Sequence, residues 1–217
     1  MISRKILLSL AVVLLILPLS CIKKIDRPEK IDLTRYFPLH NGDQYFYDGP
    51  FEKAIITGNI NDLYTITFYD SSDYIILWAD LIKRESGIGW KNIAYPNRIA
   101  PSITFEPPLP VSPWSSVVGD TLLFSSAAIY GDSINTHDRI QVQYEIVAIG
   151  EVITRLGSYG NCIQLRLSFV SLYGNGNKII KQDCYWWLAY DIGIVKYIIP
   201  GGAGELTRAR IEGKIIP

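Results

Sequence analysis

An alternation of apolar and polar residues on both sides of Gly174-Asn175-Gly176-Asn177 constrains the fold more than any other stretch. Asn-Gly pairs favour tight hairpin turns, and successive residues of a strand point to opposite faces. If Tyr173 pairs with Lys178, Leu167 lies opposite Cys184 and one face of the hairpin is apolar. That face comprises Ile163, Leu165, Leu167, Phe169, Cys184, Trp186 and Leu188. The register predicts an antiparallel pair with one face in a core.

The opposite face of this hairpin is polar but carries two aromatic residues. Tyr185 and Trp187 point outward in the predicted register, with Gln164, Arg166, Ser168, Lys181 and Asp183. The indole of Trp187 could stack on a sugar or on a partner, because a Trp ring offers a large apolar face with one polar edge. Another layer of the protein could equally cover it.

The same register bears on a disulfide between Cys162 and Cys184. Cys184 lies opposite Leu167, five residues along from Cys162, which is roughly 16 Å at ~3.3 Å per residue. Bridged Cα atoms must lie within about 7 Å. A Cys162–Cys184 bond is therefore possible but disfavoured. Two cysteines without a neighbouring histidine also fall short of the usual four ligands of zinc, so we expect no metal and no cofactor.

Strand-like segments separated by turn residues continue along the whole chain. The predicted strands include 44–48, 54–58, 63–69, 74–83, 87–94, 121–130, 139–150, 151–156 and 206–215. The 14 Tyr, 7 Phe and 5 Trp, against one Met, also favour sheet over helix. We predict an all-β fold, an antiparallel curved sheet, open barrel or sandwich of roughly ten to twelve strands. Its edges should be closed or covered, since free edges promote aggregation.

The segment before the first long strand predicts a capped turn and a loop. Asp32 can cap one helical turn that Pro38 ends. Asn41-Gly42-Asp43 predicts a turn before the strand that begins near Gln44. His40 lies in this loop, and we expect it to be a surface residue rather than a ligand.

Half of the chain's 12 prolines lie between Pro96 and Pro113. Proline donates no ladder hydrogen bond, so this stretch is predicted to be a connector rather than a central strand. A proline-rich partner motif is the alternative. The connector would join two halves of a single β-rich domain, residues 32–217.

The N-terminus carries the features of a secretory signal in residues 1–20. Arg4 and Lys5 precede an apolar run, and small Ser20 precedes Cys21. A cysteine at this place resembles the bacterial lipobox, which implies a diacylglyceryl group on Cys21 and a flexible tether over residues 21–31. Pro18 stands where Leu is usual. An ordinary secretory signal with a free Cys21 thiol, or an uncleaved anchor, remains open, although the apolar run is shorter than the ~20 residues of a membrane span.

Charge and motifs exclude several classes of protein. Without residues 1–20 the chain has 19 Lys and Arg against 21 Asp and Glu, which is not the balance of a nucleic-acid binder. His137-Asp138 with Ser133 invites a catalytic interpretation, but no Gly-x-Ser-x-Gly, His-Glu-x-x-His or phosphate-loop motif accompanies it. Asp70 and Asp73 lack the spacing of a calcium loop and indicate a hairpin turn. We assign no catalytic residue.

Three stretches carry a resemblance to a known group of proteins. They are Tyr36-Phe37-Pro38-Leu39-His40-Asn41-Gly42-Asp43, Gly157-Ser158-Tyr159-Gly160-Asn161-Cys162, and Trp187-Leu188-Ala189-Tyr190-Asp191-Ile192-Gly193-Ile194-Val195-Lys196-Tyr197. In this order they resemble the motifs of a broad group of uncharacterised bacterial lipoproteins. The group brings no established catalytic or binding residues, so the resemblance implies a scaffold of turn glycines and core aromatics.

The expected function is that of a non-catalytic binding or scaffold lipoprotein of the cell envelope, held at a membrane by lipid on Cys21. Ile22 after the cysteine, in place of Asp, favours the outer membrane, facing the periplasm. The partner would be a hydrophobic ligand in the concave face of the sheet or a protein. The alternative is a hydrolase of an envelope glycoside polymer, which requires two carboxyl groups about 5 to 10 Å apart in a cleft.

Overall fold

The computed structural model describes residues 30–96, 102–113, 115–130, 138–173 and 178–216, and most of them lie in β-strands. The strands are β1 Ile31–Asp32, β2 Gln44–Tyr47, β3 Lys53–Ile60, β4 Leu63–Tyr69, β5 Ile75–Arg84, β6 Gly87–Ala94, β7 Ser102–Pro113, β8 Ser115–Ser116, β9 Thr121–Tyr130, β10 Arg139–Thr154, β11 Gly157–Tyr173, β12 Lys178–Ala189, β13 Gly193–Ile199, β14 Gly202–Ile211 and β15 Lys214–Ile216. A 3-10 helix spans Leu33–Tyr36. None of the described helical segments is long and apolar enough to cross a membrane.

The main sheet closes on itself. Its strands follow the order β13-β12-β11-β10-β9-β7-β6-β5-β4-β3-β2-β14, every neighbouring pair is antiparallel, and β13 also pairs with β14. The result is a 12-stranded closed barrel with β15 as an additional strand. The predicted all-β antiparallel class is confirmed, and the pairing of β13 with β14 joins the two ends of the sheet that would otherwise be free edges.

The register predicted for the hairpin of β11 and β12 is confirmed. Leu167 lies opposite Cys184, and Leu165 lies opposite Trp186. Leu165 and Leu167 are fully buried and Trp186 is 9% exposed, as the alternation requires. The turn at 174–177 lies outside the described residues.

The predicted strands 139–150 and 151–156 are one strand, β10. Two register shifts against β11, after Ile146 and after Gly150, let the strand continue where the sequence pattern changes. This strand ends at Thr154, the chain turns at residues 155–156, and β11 begins at Gly157. The end of this long hairpin is held by Arg155, whose Nη1 lies 2.8 Å from Oδ2 of Asp48.

The prediction that the proline-rich stretch is a connector is wrong for Ser102–Pro113, which forms β7 between β6 and β9. Pro107 and Pro108 are tolerated because they fall inside a register shift against β6, and pairing with β9 ends at Glu106. A bulge is one of the few places in a sheet where proline is found. Pro110 and Pro113 lie opposite Gly89 and Gly87 of β6. Residues 97–101 lie outside the described residues.

The interior of the barrel is filled by aromatic and aliphatic side chains. Trp90 of β6 stacks on Phe169 of β11 with ring centroids 5.7 Å apart, and it meets Trp186 of β12 edge-on at 6.2 Å. Since β7, β9 and β10 separate β6 from β11 along the sheet, these rings meet through the interior. The barrel is therefore flattened onto a packed core.

Tyr144 lies in this core with its hydroxyl buried and without a hydrogen-bond partner among the described residues. An unpaired buried hydroxyl costs about 1–3 kcal/mol. We expect Tyr144→Phe to raise the free energy of unfolding by about 1 kcal/mol, measured by urea denaturation. The matched control is Tyr47→Phe, because the Tyr47 hydroxyl donates to the Ile194 carbonyl at 3.1 Å. Tyr47→Phe should be destabilising, and an equal loss in both variants would contradict the account.

Candidate functional site at the plugged end of the barrel

One end of the barrel is closed by the segment that precedes β2. Asp32 caps the 3-10 helix by accepting from the Thr34 amide at 3.0 Å, as predicted. The helix packs against β6 and β7 on one side of the barrel and against β13 on the other. Leu33 is fully buried, and Ser112 of β7 donates its hydroxyl to the Leu33 carbonyl at 3.3 Å. We call residues 31–38 the plug.

The plug is fixed to the β12–β13 turn by a bidentate ion pair. The guanidinium of Arg35 donates from Nε to Oδ1 of Asp191 at 2.8 Å and from Nη2 to Oδ2 at 2.7 Å. The Asp191 amide donates to the Arg35 carbonyl at 2.8 Å. The hydrogen bond from Arg35 lowers the pKa of Asp191. Both side chains are about half exposed, so the pair fixes geometry more than it adds stability.

Aromatic contacts extend the same junction. The Arg35 guanidinium lies 4.7 Å from the centroid of the Tyr190 ring, and Tyr190 meets Tyr36 edge-on at 5.4 Å. The Tyr36 hydroxyl donates to the Asn161 carbonyl at 3.3 Å. Desolvation raises the pKa of Tyr36. Three stretches far apart in the sequence, 36–43, 157–162 and 187–197, therefore meet at the plugged end.

His40 and Asp43 form a second polar cluster beside the plug. Asp43 is 1% exposed, its Oδ2 lies 3.0 Å from His40 Nδ1, and its Oδ1 accepts from the Glu212 amide at 2.8 Å. The His40 ring is partly exposed, as expected for a surface residue, and its Nε2 lies 3.8 Å from Oε1 of Glu212. Asp43 thus ties the loop before β2 to the β14–β15 turn.

The chemistry available to this cluster is limited. A carboxylate bonded to imidazole Nδ1 can orient a histidine that activates a nucleophile. In the described part of the chain, no hydroxyl or thiol is a hydrogen-bond partner of His40. The described residues also contain no group of three or more His, Cys, Asp or Glu that could hold a metal ion. The cluster fits a structural role, which the sequence indicated only through the turn residues Gly42 and Asp43.

Behind the plug lies a small apolar pocket. It has a volume of about 30 Å³ and is lined by residues that include Phe37, Pro38, Tyr45, Tyr47 and Ile56. Burial raises the pKa of Tyr45 and Tyr47, so both phenols stay neutral. Ligand sites typically measure about 300–1,000 Å³, and this pocket has room for about one water. A more open recess of about 380 Å³ lies between charged residues on the surface, Asp62, Lys83, Arg84 and Glu85.

The outer face of β11, β12 and β13 carries the aromatic pair singled out in the sequence. Tyr185 lies opposite Ile198, and Trp187 lies opposite Lys196. The Lys196 ammonium lies 5.9 Å from the centroid of the Trp187 ring. Trp187 is partly buried and packs against the core. This face combines two aromatic rings with exposed charges.

Beside this aromatic pair, two carboxylates share one cation. Arg166 lies 3.0 Å from the Asp183 carboxylate and 3.8 Å from the Glu145 carboxylate. The hydrogen bond from Ser168, followed by that from Arg166, lowers the pKa of Asp183. The two carboxylates lie on a sheet surface and are bridged by a guanidinium, which is not the arrangement of a glycosidase pair across a cleft.

The remaining residues singled out in the sequence fall as follows. Cys162 and Cys184 are both free thiols, and burial raises the pKa of each to about 11. Asp70 accepts from the Ser72 and Tyr74 amides at 2.9 and 3.0 Å, which is the predicted hairpin turn. Cys21 with the signal segment, and Ser133 with His137, lie outside the described residues.

Comparison with known proteins adds a likeness of fold. Neither the protein-family models nor the curated protein sequences match this chain. Similar solved structures include a candidate lipoprotein from Parabacteroides distasonis ATCC 8503, at 12% identity and a TM-score of 0.44, over 83% of this chain and 98% of that one. They also include a candidate exported protein with a YmcC-like fold from Bacteroides fragilis NCTC 9343, at 12% identity and a TM-score of 0.36, with the same coverage. At these values, neither likeness identifies a site or an activity for this chain.

Proposed function

We propose that this chain is an exported lipoprotein, acylated on Cys21, that acts as a non-catalytic binding or scaffold module in the cell envelope. Its signal-like residues 1–20 and the cysteine that follows them support export and acylation. Acylation with two or more chains would hold the β domain stably at a membrane. The residue after Cys21 is Ile22, which supports the outer membrane, facing the periplasm, over the inner membrane.

The filled and plugged barrel is the observation that supports a non-catalytic binding role. The rings of Trp90, Phe169 and Trp186 meet across the interior, and the pocket behind the plug measures about 30 Å³. The polar groups at the plugged end are engaged in bonds that hold the fold, among them both oxygens of Asp43. A partner therefore has to bind the outer surface.

A protein partner fits this surface better than a hydrophobic ligand. The outer face of β11 to β13 presents Tyr185 and Trp187 beside Arg166, and these are the residue types that dominate protein interfaces. Partly exposed aromatic rings backed by a rigid sheet contact a partner at little cost in conformational entropy. We place the contact with the partner on this face.

Native mass spectrometry of the mature chain, extracted gently from membranes, tests the proposal. We expect the mass of the chain from Cys21 plus acyl groups, with no further small molecule. The control is Cys21→Ser, which should abolish acylation. A reproducible extra mass of a lipid or other ligand on the acylated chain would show that the protein is a carrier and not a scaffold. An unacylated wild-type chain would contradict the lipid anchor but not the binding role.

A further inference from the structure

The barrel wall contains a gap between β7 and β9, two neighbouring strands that pair over only part of their length. Strand β7 pairs with β9 only from Ile103 opposite Tyr130 to Glu106 opposite Ala127. On that side, the first part of β9, residues 121–126, pairs with no other described strand. The hydroxyl of Ser126 donates to the Pro107 carbonyl where the two strands part. We call the gap between residues 107–113 of β7 and residues 121–126 of β9 the seam.

The sequence of β7 explains why the seam does not close. Four prolines, Pro107, Pro108, Pro110 and Pro113, lie along this side of the gap. Proline has no amide hydrogen and cannot donate to a ladder. The neighbouring strand therefore finds too few donors on β7 to continue pairing, although it pairs without interruption on its other edge with β10.

The backbone groups that face the seam can be identified. The Ala128 amide donates to the Asp138 carbonyl at 2.9 Å on the β10 side, and the β9–β10 register is regular. Because the direction of backbone groups alternates along a strand, the amides and carbonyls of Thr121, Leu123 and Ser125 face the seam. These groups form a row with the spacing of a strand and with no strand partner among the described residues.

Side-chain exposure on the β9 side agrees with an opening at this place, whereas Leu109, Val111 and Ser112 on the β7 side are buried. Leu122 and Phe124 belong to the inward face of β9 but are only partly buried, whereas Tyr144 and Val142, opposite them on β10, are fully buried. On the outer side Leu123 is 66% exposed. An unpaired strand edge beside exposed apolar groups is a template for another strand.

An exposed carboxylate lies at each end of the seam, and Arg139 of β10 lies opposite Ala127 at the Glu106 end. Asp120 precedes β9 and Glu106 lies where β7 and β9 begin to pair; both are exposed, and neither has an ion-pair partner among the described residues. The nearby carboxylate of Glu145 lies 3.8 Å from Arg166. Two free carboxylates favour an occupant with Lys or Arg side chains.

We propose that an extended, basic peptide segment of a partner protein adds to β9 as a strand at the seam. Its backbone would pair with Thr121, Leu123 and Ser125, its apolar side chains would cover Leu122 and Phe124, and its basic side chains would lie near Asp120 and Glu106. Strand addition of this kind derives affinity from main-chain hydrogen bonds and specificity from alternate side chains. The seam is separate from the face that carries Tyr185 and Trp187. The inference therefore does not rest on the proposed function, nor on the acylation of Cys21.

Hydrogen exchange of the mature protein, followed by NMR, is the first test. In the free protein the amides of Leu122 and Phe124 should be protected by β10, whereas those of Thr121, Leu123 and Ser125 should exchange at least ten times faster. Protection of all five amides in the free protein would overturn the proposal, because the seam would then be closed.

Binding is tested by fluorescence anisotropy with labelled ten-residue peptides of alternating Val and Lys or alternating Val and Glu. We expect the Val-Lys peptide to bind at least tenfold more tightly. Leu123→Pro, which removes the central amide facing the seam and spares the β10 ladder, should weaken binding at least tenfold; Leu123→Ser, which keeps that amide, should retain most of it. Thermal unfolding of both variants reports that the barrel is intact.

Three outcomes would overturn the assignment. Equal binding of the two peptides would remove the preference for a basic segment. Undiminished binding to Leu123→Pro would place the peptide elsewhere on the barrel. Tighter binding of a peptide with the sequence of residues 22–30, Ile-Lys-Lys-Ile-Asp-Arg-Pro-Glu-Lys, would identify the occupant as this chain's own tether instead of a partner.

Discussion

Trp186→Ala is expected to lower the free energy of unfolding by about 3–5 kcal/mol, the usual cost of truncating a large buried ring. Trp186 is 9% exposed and contacts both Phe37, in the plug, and Trp90, on the far side of the interior. Its removal would leave a cavity where the plug and two walls of the barrel meet. Guanidinium denaturation of the purified protein measures the loss.

The neighbouring tryptophan supplies the matched control. Trp187→Ala removes the same side chain from the opposite face of β12, where the ring is partly exposed and lies near Lys196. We expect a loss of about 1 kcal/mol, typical of a partly buried surface position. Equal losses in the two variants would mean that the barrel is not packed across its interior.

Asp43→Ala is expected to destabilise the protein by about 2–3 kcal/mol, because it leaves buried donors without an acceptor. The Asp43 carboxylate accepts from the Glu212 amide at 2.8 Å and lies 3.0 Å from His40 Nδ1, and it is almost fully buried. The loss should appear in urea denaturation. It should be accompanied by faster hydrogen exchange at the Glu212 amide, which a general loss of packing would not single out.

Asp43→Asn is the control for this site. Asparagine keeps the shape of the side chain and an oxygen that can accept from the Glu212 amide, so we expect about half of the destabilisation. If the free energy of unfolding of Asp43→Ala lies within about 0.5 kcal/mol of that of the unaltered protein, other contacts hold the turn between β14 and β15.

Hydrophobic periodicity predicted the parts of the fold in which residues close together in the sequence determine how strands pair. The facing pairs Leu167 with Cys184 and Leu165 with Trp186 follow from one turn and from alternation, because a shift by one residue would expose the whole apolar face. The cap at Asp32 was predictable for a similar reason, since its acceptor and donor are only two residues apart.

The prediction that the proline-rich stretch is a connector was wrong. Proline removes single hydrogen bonds, whereas a strand is defined by its whole ladder. Pro107 and Pro108 lie in a register shift, and pairing with β9 ends just before them. Bulges and missing partners are set by neighbouring strands that lie elsewhere in the sequence, so local composition could not reveal them.

The candidate site was the least predictable part. Arg35 and Asp191 are 156 residues apart in the sequence, and Asp43 is tied to Glu212 across 169 residues. Each of these residues, taken alone, looks like an ordinary loop or turn residue. Only the order of the closed sheet brings them to one end of the barrel, and no local pattern encodes that order.

The pairing of β14 implies that closure of the barrel waits for the strand that is synthesised after the other eleven. This strand, Gly202–Ile211, pairs with β13 along one edge and with β2 along the other, so it joins the two ends of the sheet. Until it is in place, the preceding strands form a ribbon with two unprotected edges, and contacts this distant in sequence form slowly. Chaperone protection should therefore matter most during the interval before β14 becomes available, because the nascent ribbon is then most exposed to self-association.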